Sequence, residues 1–397
     1  MVEMISDDCR PDCDVAIIGG GAIGLSIAYY LRKADSGCCI AVIEQDPSYR
    51  LASTPRASGG VRRLFTRPEN IALSNFSIPM FERFQEEMAV DDEQPDIGFK
   101  KNGYLFVVPP ADVTTLAANY ERQTKLGVNL RWYDAAGLKI RFPSMNVDDL
   151  AAGVESPDDG WLDPYAVLMG LRKKVHSLNV ELVTNKVVAI HQADKLVRSV
   201  SLASGHKIKA GVIINAAGAW SQQICDMVGM PVPITPLRRF EHYFETQDLI
   251  EPLPYFKDPS RLAFRPEGKG YSGGVPTLDE PRGLNFAADH SYFDEHVWPA
   301  LAHRFSQFER TKCRSTMPGL YDQNDFDGNP IIGPWSGGCE NFYMAAGFSG
   351  HGLMHAPGTG LALSELILTG HYETLDLTRL GWDRVVRGEP YAEQGII

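Results

Sequence analysis

The sequence predicts an α/β protein in which a nucleotide-binding domain is split along the chain and joined to a smaller α+β domain. Three observations carry this. A strand, a glycine turn, a helix and a second strand open the chain. Text of α/β character returns twice further on. Between these parts lie two stretches of different character, one of them holding aromatic strands.

Val15-Ala16-Ile17-Ile18 reads as a strand and runs into Gly19-Gly20-Gly21-Ala22-Ile23-Gly24, which opens a helix. A second apolar run, Ile40-Ala41-Val42-Ile43, ends in Glu44, twenty residues after Gly24. This is the G-x-G-x-x-G pattern of a Rossmann-like βαβ dinucleotide site, in its required context. Gly19 allows the tight turn, Gly21 lets a pyrophosphate approach the backbone, and Gly24 lets helix and strand pack closely. The helix N-terminus offers free N–H groups and a partial positive charge to phosphates. Glu44 can accept hydrogen bonds from both ribose hydroxyls, and an acid there argues against NADP.

Composition bounds the remaining classes. With 397 residues the chain is too long for one compact core, so two domains or one elaborated domain are expected. Apolar content of 44% and charged content of 22% are those of a soluble globular enzyme. A net charge of −12 disfavours nucleic acid or an anionic membrane as partner. No apolar run is long enough to span a membrane. Residues 1–14 are acidic and do not read as a signal peptide, so cytoplasmic residence is the expectation. The seven cysteines are irregularly spaced. Cys9-x-x-x-Cys13 has no matching second pair, so no metal site is expected and free thiols are the preferred reading.

After the first unit comes the small-residue segment 51–63, with Arg56, Ser58, Gly59, Gly60, Arg62 and Arg63. Pro68-Glu69-Asn70 opens a helix with apolar positions at Ile71, Phe76, Met80 and Phe84. Tyr104 to Val108 is a strand, and Val113 to Leu126 a helix ended by Gly127. Asp163-Pro164 starts a helix, with the aspartate as N-cap. Val180 to Ile190 and Ala210 to Asn215 read as strands. The second runs through Ala216-Ala217-Gly218-Ala219-Trp220 into a helix reaching about Gly229. Prolines 231, 233 and 236 mark a crossing into aromatic strands such as Tyr271 to Gly274, with one helix near 292–307. Phe342 to Ala346 is a strand, Gly347 to Gly352 a turn, and Pro357 to Leu368 a helix ended by Gly370. The resulting division is 10–88, 150–230 and 318–397 for the nucleotide-binding domain. Residues 89–149 and 231–317 form the smaller domain, with a mainly antiparallel sheet.

In this order the segments resemble the FAD-dependent amino-acid and amine oxidoreductases, the group of D-amino-acid oxidase, glycine oxidase and sarcosine oxidase. The resemblance spans nearly the whole chain and is specific for the family, not for a substrate. The stretch from Gly319 to Gly370 looks most like the mitochondrial FAD-dependent oxidoreductase-domain proteins linked to respiratory complex I assembly.

The resemblance implies a discontinuous FAD-binding domain, a substrate domain and hydride transfer from a substrate C–N bond to flavin N5, the imine then being hydrolysed. The implied cofactor-binding residues are Gly19, Gly21, Gly24 and Glu44; Arg56, Ser58, Gly59 and Gly60; Val187 and Val188; Ala216, Ala217, Gly218 and Trp220; and Gly347, Phe348, Ser349, Gly350, His351, Gly352, Leu353 and Met354. His351, Arg62 and Arg265 are the implied catalytic residues. His351 either hydrogen-bonds near flavin N1 and O2 or caps the turn. Arg265 either grips a substrate carboxylate or is an ordinary strand arginine.

Two departures matter. Sarcosine oxidase tethers its flavin through a cysteine where this chain has Gly319, so non-covalent FAD is expected. Met354 replaces the lysine that helps hold the substrate carboxylate there, and the oxygen-assisting lysine falls near Ser272 in a loose match. The substrate is expected to be a small amine or amino acid, with the electron acceptor (oxygen, quinone or protein) left open. The alternatives are a flavoprotein with an assembly or binding role and little turnover, and an NAD-linked dehydrogenase.

Overall fold

The computed structural model describes residues 12–276 and 279–395. Cys9 of the Cys9–Cys13 spacing lies outside them. The first strand, Asp12–Ile18, is buried over its second half and forms the middle of an eight-stranded sheet. It pairs in parallel with Ile40–Glu44 on one side and with Lys207–Asn215 on the other. Glu181–Thr184 extends one flank. Phe342–Ala346 and then Ile331–Pro334 extend the other. An antiparallel arm, Val187–Ala193 with Leu196–Leu202, is attached to Lys207–Asn215.

Val, Ile and Ala fill the parallel strands because both faces are covered. On one face lie the helices Ala22–Ala34, Pro68–Glu82 and Gly352–Thr369. The first and last of these cross so closely that a Cβ on Gly360 would lie 2.7 Å from the Ser26 carbonyl. The consequence for function is positional. Ile18, Glu44, Asn215 and Ala346 all end parallel strands on one edge of the sheet, where open α/β sheets bind ligands.

The second sheet also has eight strands, in the order Lys312–Asn324, Ile234–Glu245, Gly270–Gly274, Ala263–Glu267, Tyr255–Lys257, Tyr104–Val108, Ala152–Ser156 and Arg131–Asp134. It is antiparallel except where Tyr255–Lys257 meets Tyr104–Val108. Side chains alternate across it. Phe244, Phe256, Phe264, Phe305 and Phe308 pack on one face, while Tyr104, Phe106, Trp161 and Tyr255 pack with Leu64 on the other.

Four expectations need correction. The last long helix starts at Gly352, five residues before Pro357, which sits inside it. Glycine and proline mislead here because packing against Ala22–Ala34 outweighs propensity. The stretch 180–190 is two strands, broken where the Asn185 side chain accepts the backbone N–H of Lys186. The helix after Trp220 is a short Ser221–Asp226 segment. Ala152–Ser156 and the 318–324 end of the long strand belong to the second sheet, although the sequence division places them in the first domain.

Candidate active site

Three turns converge at the carboxyl edge of the first sheet. The first follows strand Asp12–Ile18. Gly19 has φ +109°, and a Cβ there would lie 2.4 Å from the Ala216 carbonyl oxygen. A Cβ on Gly24 would lie 2.0 Å from the Gly19 carbonyl oxygen. These glycines therefore let helix, turn and neighbouring strand approach each other. Helix Ala22–Ala34 begins at Gly21 with no side-chain cap of its own. The Thr54 hydroxyl accepts the Ala22 N–H at 3.2 Å. Glu44 accepts the Gly20 N–H at 2.8 Å and the Asp46 N–H at 2.9 Å. Burial raises its carboxyl above the ordinary range, against the pull of those hydrogen bonds. A small recess opens beside Glu44, lined by Pro47, Tyr49, Arg172 and Thr184 among others.

The second turn is 215–220. The Asn215 side chain donates to the Ser221 carbonyl at 2.9 Å and accepts the Ala217 N–H at 3.2 Å, which fixes the bend. Ala216 N–H donates to Ile18 O, tying this turn to the first. Gly218 has φ +52°, and Trp220 stacks on Phe286.

The third turn, 347–352, is held by a residue that sequence reasoning passed over. Asp322, on the second sheet's long strand, accepts the N–H groups of Gly347 (2.7 Å) and Phe348 (3.1 Å) through Oδ2. Its backbone carbonyl accepts the Ser349 N–H. Burial raises its carboxyl to about 6. Gly350 has φ +101°, and a Cβ there would strike the Tyr321 ring at 2.6 Å. Leu353 and Met354 are buried in the helix that follows. His351 is half-buried as a residue, but its Nδ1 is sheltered and has no hydrogen-bond partner in the structure. Its backbone stands at the N-cap and its side chain makes no capping bond.

Arg62 meets this turn. It is 3% exposed, its Nη1 donates to the Leu64 carbonyl, and its Nη2 lies 3.4 Å from His351 Nε2. The guanidinium sits 4.0 Å from the centre of the Phe65 ring, which His351 meets edge-on. Burial holds His351 well below its ordinary value, reinforced by Arg62, His355 and Lys257, so its imidazole is neutral.

The other arginines are committed to structure. Arg265 donates to the Ser58 carbonyl at 2.7 Å and pairs with Glu267. Arg56 donates to the carbonyls of Arg50 and Pro318. Arg63 pairs with Asp159. Gly59 and Gly60 are crowded by the Leu162 carbonyl and the Tyr255 ring. Val187 is buried in the arm, whereas Val188 is 48% exposed on it. Lys257 and Tyr255 on the second sheet also face this region. Nothing in the sequence Tyr255-Phe256-Lys257 marks either residue.

This geometry fits a dinucleotide whose second half extends between the sheets. The turns offer close backbone approach, a helix start at a glycine N-cap and an acid at the strand end. The family model for FAD dependent oxidoreductases (DAO) matches residues 14–366, and the chain belongs to that family. It is an FAD-dependent oxidoreductase. It is 34% identical over 423 residues to FAD-dependent oxidoreductase domain-containing protein 1 of Bos taurus, covering 97% of this chain and 87% of that one. Mitochondrial dimethylglycine dehydrogenase of Rattus norvegicus is 27% identical, covering 90% of this chain and 43% of the relative. Among solved structures, L-proline dehydrogenase from P. horikoshii superposes with a TM-score of 0.86 at 26% identity, covering 96% of this chain and 100% of that one. Among the described residues no helix is long and apolar enough to cross a membrane, and no cluster of three metal-ligating side chains is present.

Proposed function

We propose that this oxidoreductase oxidises the C–N bond of an amino acid or a secondary, N-alkyl amine, and that water hydrolyses the imine formed. The observation that carries the reading is the contact of buried Arg62 with neutral His351 where the 347–352 turn faces the second sheet. Relatives named for dimethylglycine and proline dehydrogenation support the same substrate class.

FAD, when bound, supplies the hydride acceptor. The chain's residues do the rest. The Gly19–Gly24 turn and the helix start would hold the pyrophosphate, and Glu44 the ribose. Residues 215–220 and 347–352 would hold the remainder without a covalent tether, Gly319 standing where sarcosine oxidase has its cysteine. The start of helix Gly352–Thr369 would place positive potential where negative charge accumulates on reduction. His351, being neutral, orients by hydrogen bonding and does not deliver a proton. Tyr104 and Tyr255, buried on the second sheet, would help shield the site from water. No dedicated base is required if the amine binds unprotonated. Residence in a reducing compartment, the cytoplasm, is part of the proposal, and the six described cysteines are all unpaired.

The experiment is anaerobic addition of N-methyl and D- and L-amino acids to the holoprotein. Bleaching of the flavin spectrum by at least one supports the reading. No bleaching by any of them favours a binding or assembly role.

A further inference from the structure

Building on the C–N oxidation reading above, we propose that Glu241 is a further catalytic residue. Its carboxylate receives the substrate nitrogen as an ammonium and takes one proton from it, leaving the neutral amine whose C–H can depart as hydride.

The placement comes from the strand. Phe240, His242 and Phe244 lie on the face of Ile234–Glu245 that packs among the phenylalanines, so Glu241 turns to the opposite face. Its charge is felt by the hydroxyls of Tyr255 and Tyr321. Tyr255 donates to the Ser58 hydroxyl at 3.1 Å, in the small-residue segment 51–63. The Tyr321 ring stands where a Cβ on Gly350 would strike it at 2.6 Å. The carboxyl therefore lies where the second sheet meets both that segment and the 347–352 turn.

Glu241 is partnered differently from the other enclosed acids. Glu69, Glu155, Asp159 and Asp258 are the buried acids among the described residues, and each has an arginine within 4.0 Å. Glu44 and Asp322 each accept two backbone N–H groups. Glu241 has neither kind of partner. Its Oε1 accepts the Ser272 hydroxyl at 2.6 Å, and its Oε2 has no hydrogen-bond donor and no cation within 4.0 Å among the described residues. The cation that acts on it from further off, Arg265, is engaged by the Ser58 carbonyl and by Glu267. Burial raises the Glu241 carboxyl above its ordinary range, against the pull of Ser272 and Arg265, so it holds a proton more readily than a free glutamate.

An enclosed carboxylate with one oxygen unmatched costs stability, and a fold tolerates it where an incoming group supplies the missing donor. An ammonium is that group. Amines carry their nitrogen protonated near neutral pH. Hydride departure needs the nitrogen lone pair, so a substrate that arrives as the ammonium must first lose a proton. The N–H bond breaks, an O–H bond forms at Oε2, and the electron pair stays on nitrogen. The proton passes to solvent after the imine is hydrolysed. His351 is a poor acceptor for this step, being held neutral beside Arg62.

The test uses the holoprotein at pH 8 and two probes of one shape that lack nitrogen, so C–N oxidation cannot occur. Dimethylsulfonioacetate carries a fixed cation at the amine position, and 3-methylbutanoate has carbon there. Binding is read from perturbation of the flavin spectrum in wild type, Glu241→Gln and Glu241→Asp. Wild type should prefer the sulfonium, and Glu241→Gln should bind it roughly 10- to 100-fold more weakly while holding 3-methylbutanoate unchanged. Glu241→Asp, which keeps the charge, should recover part of the loss. No sulfonium preference in wild type, or the same preference in Glu241→Gln, overturns the proposal. Loss of both probes or of FAD from Glu241→Gln marks a structural role and overturns it as well. If the preference depends on Glu241 but no amino acid bleaches the flavin, the oxidation reading falls and the ammonium site stands. If amino acids bleach it and Glu241→Gln keeps the preference, the reverse holds.

Discussion

Replacing Asp322 gives a sharp test of how the 347–352 turn is built. One carboxylate oxygen accepts two backbone N–H groups, those of Gly347 and Phe348. Asp322→Asn would keep a carbonyl oxygen able to accept both, while removing the charge and turning the other carboxylate oxygen into an NH2 donor. Asp322→Ala would remove the acceptor altogether. Burial raises the Asp322 carboxyl from 3.8 to about 6. At about 1.4 kcal/mol per pH unit, that difference is worth about 2 to 3 kcal/mol. The sign follows from the direction. The folded state binds the proton more tightly than the unfolded state. The contribution is therefore favourable below pH 3.8, is lost as pH rises, and is fully lost above about 6. The asparagine variant should accordingly be more stable than wild type at pH 8, by up to about 2 to 3 kcal/mol, and similar to it near pH 4. The alanine variant should lose about 1–3 kcal/mol for each stranded amide. Urea unfolding of the holoprotein at both pH values measures this. If Asp322→Asn falls with Asp322→Ala at pH 8, the carboxylate is needed as a charge and the reasoning is refuted.

Other outcomes follow from the same geometry. Gly24→Ala would set a Cβ 2.0 Å from the Gly19 carbonyl oxygen, so FAD should be lost on gel filtration and stability should drop by about 1–3 kcal/mol, read by denaturant unfolding. Arg62→Met should raise KM for an amino-acid substrate more than for a neutral amine, measured by steady-state kinetics once a substrate is found. Glu393 accepts hydrogen bonds from Thr66 and Asn70, fastening the 391–395 segment beside Arg62. Glu393→Ala should therefore cost about 2 kcal/mol and lower Tm by about 2 °C in a thermal melt.

Much of the frame is legible in the sequence because it depends on local signals. The turn at Gly19, the acid at Glu44 and the strand Phe342–Ala346 are specified by residues adjacent in sequence. Asp163 caps its helix through Tyr165 and Ala166, as the Asp-Pro pair predicts. What escapes is set by long-range contact. Asp322 reads as an ordinary polar residue until the fold brings it to the amides of Gly347 and Phe348. Arg265 and Arg62 look alike in sequence. Glu267, two residues along the same strand, pairs with Arg265, but only tertiary packing brings Arg265 to the Ser58 carbonyl and leaves Arg62 beside His351. Lys257 shows nothing unusual until its strand is seen to face Phe106. The helix start at Gly352 is missed because Pro357 is a local stop signal that burial overrides.

The central claim is that three turns distant in sequence enclose one FAD, with its ring beneath the tyrosine-lined face of the second sheet. A crystal structure of the holoprotein decides this. The expected result is the flavin ring in van der Waals contact with Gly350 and Arg62. A ring lying away from the 347–352 turn would contradict it.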